Sequence, residues 1–212
     1  LVGRFTISKG EVIERKYVSR ILNDAGGEIY AYSQNFDDYT LNGLVKFNSD
    51  SPEELTRIKI VEDEATAGAF GGDAYYVMCT YQYFYPGGLY TVDLETGELT
   101  LVASYIQDYN VRLAVDMSYD YTTETMYMIY PSDNDSYLTA FGSVDLKTGQ
   151  QTFINHEMDR YVRAIAVDKE GILYGIDEYG MLITIDKITG ECTELYDLGI
   201  RPFYRQSMCD CF

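Results

Sequence analysis

A tyrosine followed one to three residues later by an arginine recurs four times in this 212-residue chain. The pairs are Tyr17 with Arg20, Tyr109 with Arg112, Tyr161 with Arg163, and Tyr204 with Arg205. A guanidinium group binds a carboxylate or sulfate through two parallel hydrogen bonds, and a tyrosine face packs against a sugar ring or a base. The residue types and their spacing therefore predict a binding site for an acidic glycan or another small anion.

The same arginines have a purely structural interpretation. Each could bind backbone carbonyls or an acid of a neighbouring repeat, and interfaces between repeats recur as regularly as ligand sites do. An aspartate is expected to close the first strand of each repeat, and these residues could serve as partners: Asp24, Asp73, Asp116, Asp168 and Asp210. Both interpretations stay open on the sequence alone.

Aromatic side chains form a second set of candidate binding residues. Tyr83, Phe84 and Tyr85 are consecutive and precede a Pro-Gly-Gly sequence. One face of a strand cannot bury three adjacent aromatic residues, so we expect some of them to be exposed on a contact surface. Phe36, Tyr39 and Tyr137 are expected in corresponding loops.

The element that positions these residues is a recurring five-residue turn, Asp-x-x-Thr-Gly, at residues 93–97, 145–149 and 186–190. Aspartate and threonine side chains bond nearby backbone groups, and glycine accepts the positive φ of a tight reversal. An apolar run precedes each copy and an alternating run follows it, which predicts a repeated β-hairpin. A second hairpin lies between the copies and repeats just as well, with first strands expected at Leu113–Asp116 and at corresponding positions.

Each repeat thus has four short strands in about 40 to 52 residues, which is typical of a β-propeller blade. The segments 92–97, 144–149 and 185–190 resemble the turn of bacterial propeller families of the YVTN, NHL and quinoprotein-like kind. The resemblance implies an all-β propeller of four-stranded antiparallel blades, and it implies no single function. A β-sandwich is the alternative fold. The only helical candidate is one polar turn near Ser51 to Leu55.

We expect four complete blades, at about 17–61, 66–107, 109–158 and 161–199, with partial strands at both ends. The chain is therefore interpreted as a single propeller or, in preference, as a fragment of a larger one. In a propeller the segments between blades and the loops between second and third strands share one face around a central channel. That face is the predicted binding surface.

Charge and cysteine content exclude several classes of partner. The net charge of −18 disfavours nucleic acid, and no apolar run is long enough to span a bilayer. Cys79, Cys192, Cys209 and Cys211 are expected to be free thiols. No cofactor or metal is predicted: the chain has no tryptophan, unlike quinone-binding propellers, and Ser132 to Ser136 resembles a polar turn more than a calcium loop.

The predicted function is a non-catalytic bacterial propeller, secreted or displayed on the cell surface, that binds a ligand or a protein partner at its channel face. The alternative is a glycan-active lyase or hydrolase that uses carboxylates of the channel and the single histidine, His156. No Gly-x-Ser-x-Gly nucleophile turn is present, and a lone histidine is a weak indication of catalysis.

Overall fold

A computed structural model describes residues 2–8, 11–18, 20–25, 28–33, 43–48, 50–60, 65–79, 87–105, 113–132, 134–135 and 137–199. Within these residues the regular structure consists of 18 β-strands and no helix. The chain divides into two compact units, Leu1–Asp108 and Tyr109–Phe212. No helix of the described residues is long and apolar enough to cross a membrane.

The first unit holds one hairpin and two four-stranded sheets. The hairpin pairs β1 (Val2–Ser8) with β2 (Glu11–Val18). Blade 1 consists of β3 (Arg20–Ala25), β4 (Glu28–Ser33), β5 (Gly43–Asn48) and β6 (Ser51–Ile60). Blade 2 consists of β7 (Ala65–Gly71), β8 (Ala74–Cys79), β9 (Gly88–Val92) and β10 (Leu99–Ser104).

The second unit holds two further sheets of the same kind. Blade 3 consists of β11 (Asp116–Asp120), β12 (Thr125–Pro131), β13 (Thr139–Val144) and β14 (Gln151–Asn155). Blade 4 consists of β15 (Val162–Val167), β16 (Leu173–Asp177), β17 (Met181–Ile185) and β18 (Cys192–Asp197). In all four sheets each strand pairs antiparallel with the next strand along the chain, and the sheets are the blades of a β-propeller, which confirms the predicted fold class.

The Asp-x-x-Thr-Gly turn joins the third strand to the fourth in blades 2, 3 and 4. In every copy the aspartate Oδ1 accepts hydrogen bonds from the N–H groups two and three residues later, at 2.7 to 2.9 Å. The glycine N–H donates to the aspartate carbonyl at 2.7 to 2.8 Å. These bonds, led by the threonine N–H, hold the pKa of each carboxyl below its ordinary value: Asp93, Asp145 and Asp186.

The glycine of the turn has two independent reasons to be a glycine. Gly97 and Gly190 have φ of +70° and +73°, where a side chain is strained. A Cβ on Gly190 would also lie 2.6 Å from the Cβ of Asn155, at the end of β14. A Cβ on Gly97 would lie equally close to Lys59 of β6. The turn of one blade therefore packs directly against the fourth strand of the preceding blade.

Apolar faces of neighbouring blades pack together within each unit. In the second unit Tyr127 and Phe141 of blade 3 stack at 5.5 Å and share a core cluster with Ile165, Ile183 and Ile185 of blade 4. Burial of each such side chain contributes about 1.5 to 3 kcal/mol. In the first unit Tyr30 and Leu44 of blade 1 share a cluster with residues of blade 2: Tyr75, Val77, Tyr90 and Val92.

Two sequence expectations about single elements were wrong. Ser51 to Leu55 is not a helical turn but the start of β6, because the Asn48 side chain accepts from the Asp50 N–H at 2.9 Å and closes a short turn after which pairing resumes. The first strand of blade 3 starts rather than ends at Asp116. It ends at Asp120, whose side chain accepts from Thr122 N–H and hydroxyl and from the Thr123 hydroxyl.

Asp116 has a different role, at the contact between the first strands of blades 3 and 4. Its Oδ2 accepts a hydrogen bond from the Ile165 N–H at 2.8 Å. Ser118 Oγ accepts from the Val167 N–H at 3.0 Å. Side chains of β11 thus satisfy two amides of β15 that are directed away from its partner strand.

Candidate binding site

Three chain segments meet at one end of blades 3 and 4, which we call the loop end: the described residues of 132–139 (132, 134–135 and 137–139), 156–163 and 177–180. In an antiparallel meander, the loop between second and third strands and the segment that enters the first strand lie at the same end. Hydrogen bonds confirm the adjacency. The Glu178 N–H donates to the Tyr161 carbonyl at 2.9 Å, and the Thr139 N–H donates to the Arg160 carbonyl at 3.3 Å.

Arg163 and Tyr161 form a stacked pair at the loop end. The Arg163 Cζ lies 4.6 Å from the centroid of the Tyr161 ring, within the range of a cation–π interaction. The Arg163 side chain is 40% exposed. Within the described residues its ion-pair partner is Glu178, and 4.0 Å separates Nη2 from Oε2. That distance is too long for a hydrogen bond, so the guanidinium N–H groups remain available to a ligand.

Exposed tyrosine rings lie in the same segments. Tyr179 follows Glu178 in the turn between β16 and β17 and is 74% exposed. Tyr137, in the segment between β12 and β13, is 62% exposed. Aromatic side chains at this level of exposure are typical of contact surfaces. The loop end therefore combines an accessible cation with flat apolar faces.

Arg160 has surroundings opposite to those of Arg163. Its Nε and Nη2 donate to Asp159 at 2.9 and 3.0 Å, and its Nη1 lies 3.2 Å from Glu194 and 3.5 Å from Asp177. Hydrogen bonds to Asp159 and then to Glu194 raise the pKa of Arg160 above its ordinary value. The side chain is only 16% exposed. Arg160 thus holds three acids together by ion pairs. It precedes Tyr161 and so lies outside the Tyr–Arg pattern, which gives no indication of this role.

The backbone that carries Tyr161 is fixed by Thr139, a fully buried residue at the start of β13. Its hydroxyl donates to the Arg160 carbonyl and accepts from the Val162 N–H, both at 3.1 Å. On the other side, Asp177 Oδ1 accepts from the N–H groups of Tyr179 and Met181 at 2.9 Å. Hydrogen bonds within the chain therefore hold the backbone of the loop end in place.

The structure places the predicted site residues unequally. Tyr161 and Arg163 are brought together as described above. Tyr17 lies in β2 and Arg20 in β3, where the backbone is described but the side chains are not. The remaining predicted residues lie outside the described part of the chain: Tyr83, Phe84, Tyr85, Tyr109, Arg112, Tyr204 and Arg205.

The residues considered for catalysis or metal binding have ordinary surroundings. His156 is exposed, and its ring stacks on Phe153 at 5.3 Å. Burial, with the nearby Asp159 carboxylate, raises the pKa of the Cys192 thiol to about 11, which keeps it protonated and unreactive at neutral pH. Across the described ranges no group of three or more His, Cys, Asp or Glu side chains is arranged to hold a metal ion.

A second cation of blade 4 forms what we call the lysine clamp: Lys187, Asp120 and Gly171. Lys187 Nζ lies 2.6 Å from Asp120 Oδ2 of blade 3 and donates to the Gly171 carbonyl at 2.7 Å. Burial alone would raise the pKa of Asp120, but the bonds from Lys187, Thr122 and Thr123 outweigh it and hold that pKa far below its ordinary value. The clamp joins the two blades.

Comparison with known proteins identifies the fold and no family. No family model matches the chain, and no curated protein matches it. A structural genomics protein of unknown function from Bacteroides thetaiotaomicron matches with a TM-score of 0.57 and 16% identity, over 84% of this chain and 43% of that one. A chain of the nidogen/laminin complex matches with a TM-score of 0.56 and 14% identity, over 92% of this chain and 70% of that one.

An extracellular domain from B. thetaiotaomicron matches with a TM-score of 0.49 and 13% identity, over 95% of this chain and 25% of that one. The chain thus spans less than half the length of the first of these structures and a quarter of the third. At these identities the first two likenesses support the propeller fold alone.

Proposed function

We propose that this chain is a non-catalytic propeller that binds a ligand carrying an anionic group, in the first place an acidic glycan, at the loop end. The observation that carries the proposal is the Arg163 guanidinium, which is held over the Tyr161 ring and is exposed without a direct hydrogen bond to an acid. The protein has a net charge of −18, so acids are abundant in the chain. We therefore expect an exposed guanidinium that bonds none of them directly to bind a group outside the chain.

The rest of the loop end supports a ligand with flat apolar surface as well as charge. The exposed rings of Tyr179 and Tyr137 provide faces for sugar stacking. Thr139 and Asp177 fix the backbone, which lowers the entropy lost on binding. No contact of His156 favours the alternative of a lyase or hydrolase. We also propose that the protein is displayed on a bacterial surface or secreted from the cell.

The test is binding of acidic glycans to the full chain and to the variant Arg163→Ala, measured by calorimetry. A charged group that binds through hydrogen bonds contributes about 1.5 to 3 kcal/mol, so the dissociation constant should rise roughly tenfold to a hundredfold. The melting temperature should stay within about 2 °C, because a half-exposed pair contributes little stability.

The matched control is Lys169→Ala, which removes the same charge from an exposed side chain in the β15–β16 turn, at the opposite end of β15 from Tyr161 and Arg163. It should bind like the wild type. Equal glycan affinity of the wild type and Arg163→Ala would contradict the proposal. So would an equal loss in both variants, because that would show an effect of net charge alone.

A further inference from the structure

The loop end sets a group that only donates hydrogen bonds beside a group that only accepts them. A guanidinium has no acceptor, and an ionised carboxylate has no donor. Arg163 Nη2 and Glu178 Oε2 are 4.0 Å apart, and the two side chains are 40% and 27% exposed. Since they do not bond each other directly, both can be satisfied by one ligand that bridges them.

Building on the function proposed above, we infer that Glu178 determines specificity and that the ligand is a uronate-type sugar. The carboxylate of the sugar would accept two parallel hydrogen bonds from the Arg163 guanidinium, and a neighbouring sugar hydroxyl would donate to the Glu178 carboxylate. A planar carboxylate matches both N–H groups of the fork with its two oxygens. A tetrahedral sulfate has a further oxygen, which would lie beside the Glu178 carboxylate and be repelled.

The position of Glu178 is fixed by its neighbours rather than by its own side chain. Its N–H donates to the carbonyl of Tyr161, the residue under the Arg163 guanidinium. Asp177 accepts from the N–H of Tyr179, so the turn is held immediately before and after Glu178. The backbone that carries the acceptor is therefore held beside the backbone that carries the donor, as recognition of adjacent ligand groups requires.

The charge around the site favours the same class of ligand. Asp159 and Glu194, on either side of Arg160, are more than half exposed, and Glu157 is exposed in the same segment. A densely sulfated chain would meet repulsion from these acids and from the net charge of −18. A uronate has one charge per sugar and several hydroxyl donors, so it meets less repulsion and can satisfy the acids.

The experiment compares two probes, a tetragalacturonate and a sulfated galactose tetrasaccharide, by calorimetry on the full chain. The wild type should bind the uronate at least about tenfold more tightly, the effect of one charged contact. Glu178→Gln keeps the size of the side chain and removes its charge. It should reduce that preference to about twofold or less, mainly through tighter binding of the sulfated probe.

Glu170→Gln, which removes the same charge from an exposed residue of the β15–β16 turn, should leave the preference unchanged. If Arg163→Ala abolishes binding of both probes while Glu178→Gln leaves the preference intact, the inference is overturned and the proposed function stands. If Arg163→Ala binds both probes like the wild type, the proposed function fails and the inference fails with it. A wild type that prefers the sulfated probe also overturns the inference.

Discussion

The lysine clamp and the loop end are both formed by residues of blades 3 and 4, and each surrounds a cation of blade 4 in a different way. In the clamp, Lys187 Nζ lies 2.6 Å from the fully buried Asp120 carboxylate. It donates a second hydrogen bond to the Gly171 carbonyl. At the loop end, Arg163 lies 4.0 Å from its acid and keeps its donors exposed. The contrast separates a cation that joins two blades from one whose hydrogen-bond donors stay exposed.

Arg160 makes the contrast sharper because it is only three residues from Arg163. It is enclosed by Asp159, Asp177 and Glu194, as Lys187 is by the clamp. Proximity in sequence therefore does not decide the role of a cation. The number and distance of its acidic neighbours do.

The largest expected effect is loss of the clamp. Asp120→Ala leaves the partly buried ammonium of Lys187 without its ion-pair partner and removes the acceptor of the Thr122 and Thr123 hydroxyls. Removing one partner of a buried pair costs about 3 kcal/mol, so the free energy of unfolding in urea should fall by that amount. Glu170→Ala, at an exposed acid, should change it by less than about 0.5 kcal/mol. Equal losses in the two variants would remove the distinction between clamp and surface.

A smaller effect is expected at the turn that carries Lys187. Gly190→Ala puts a Cβ at φ +73° and 2.6 Å from Asn155, and should destabilise the protein by about 2 kcal/mol or more. Gly199→Ala is the matched control, since its φ is +64° and no heavy atom lies within 4 Å of the added Cβ. The difference between the two variants in chemical unfolding measures the packing between blades. No difference would mean that the backbone angle is the whole cost.

The smallest expected effect is a dependence on pH. The pKa of Asp120 is lowered in the folded state, so its stabilisation is complete above the unfolded pKa of about 4 and is lost as the pH falls below it. Between pH 7 and pH 3 the wild type should lose about 1 kcal/mol more of unfolding free energy than Asp120→Asn, which cannot titrate. The three turn aspartates are lowered in the same direction and titrate alike in both proteins. Parallel profiles for the two proteins would show that the clamp carries no titrating charge.

The sequence predicts those parts of the structure that depend on neighbours a few residues away. The Asp-x-x-Thr-Gly turn is one, because its hydrogen bonds connect residues at most five positions apart. The blade pattern follows from its repetition. Lys187 and Asp120 are 67 residues apart, so nothing local indicates their contact. The Tyr–Arg spacing predicts the Tyr161–Arg163 pair, but only the surroundings distinguish Arg163 from Arg160.

Asp116 and Ser118 have a consequence for how such a chain can grow by duplication. Their side chains accept hydrogen bonds from two amides of the next blade, so the first strand of blade 3 carries acceptors that the first strand of blade 4 uses. Consider a copied blade that follows blade 3. The corresponding amides of its first strand would be hydrogen-bonded to Asp116 and Ser118 if that strand kept the register of β15. One shifted by a single residue would present the opposite set of amides and lose these two hydrogen bonds. The first strand of blade 3 thus constrains which repeats can follow it, independently of the residues at the loop end.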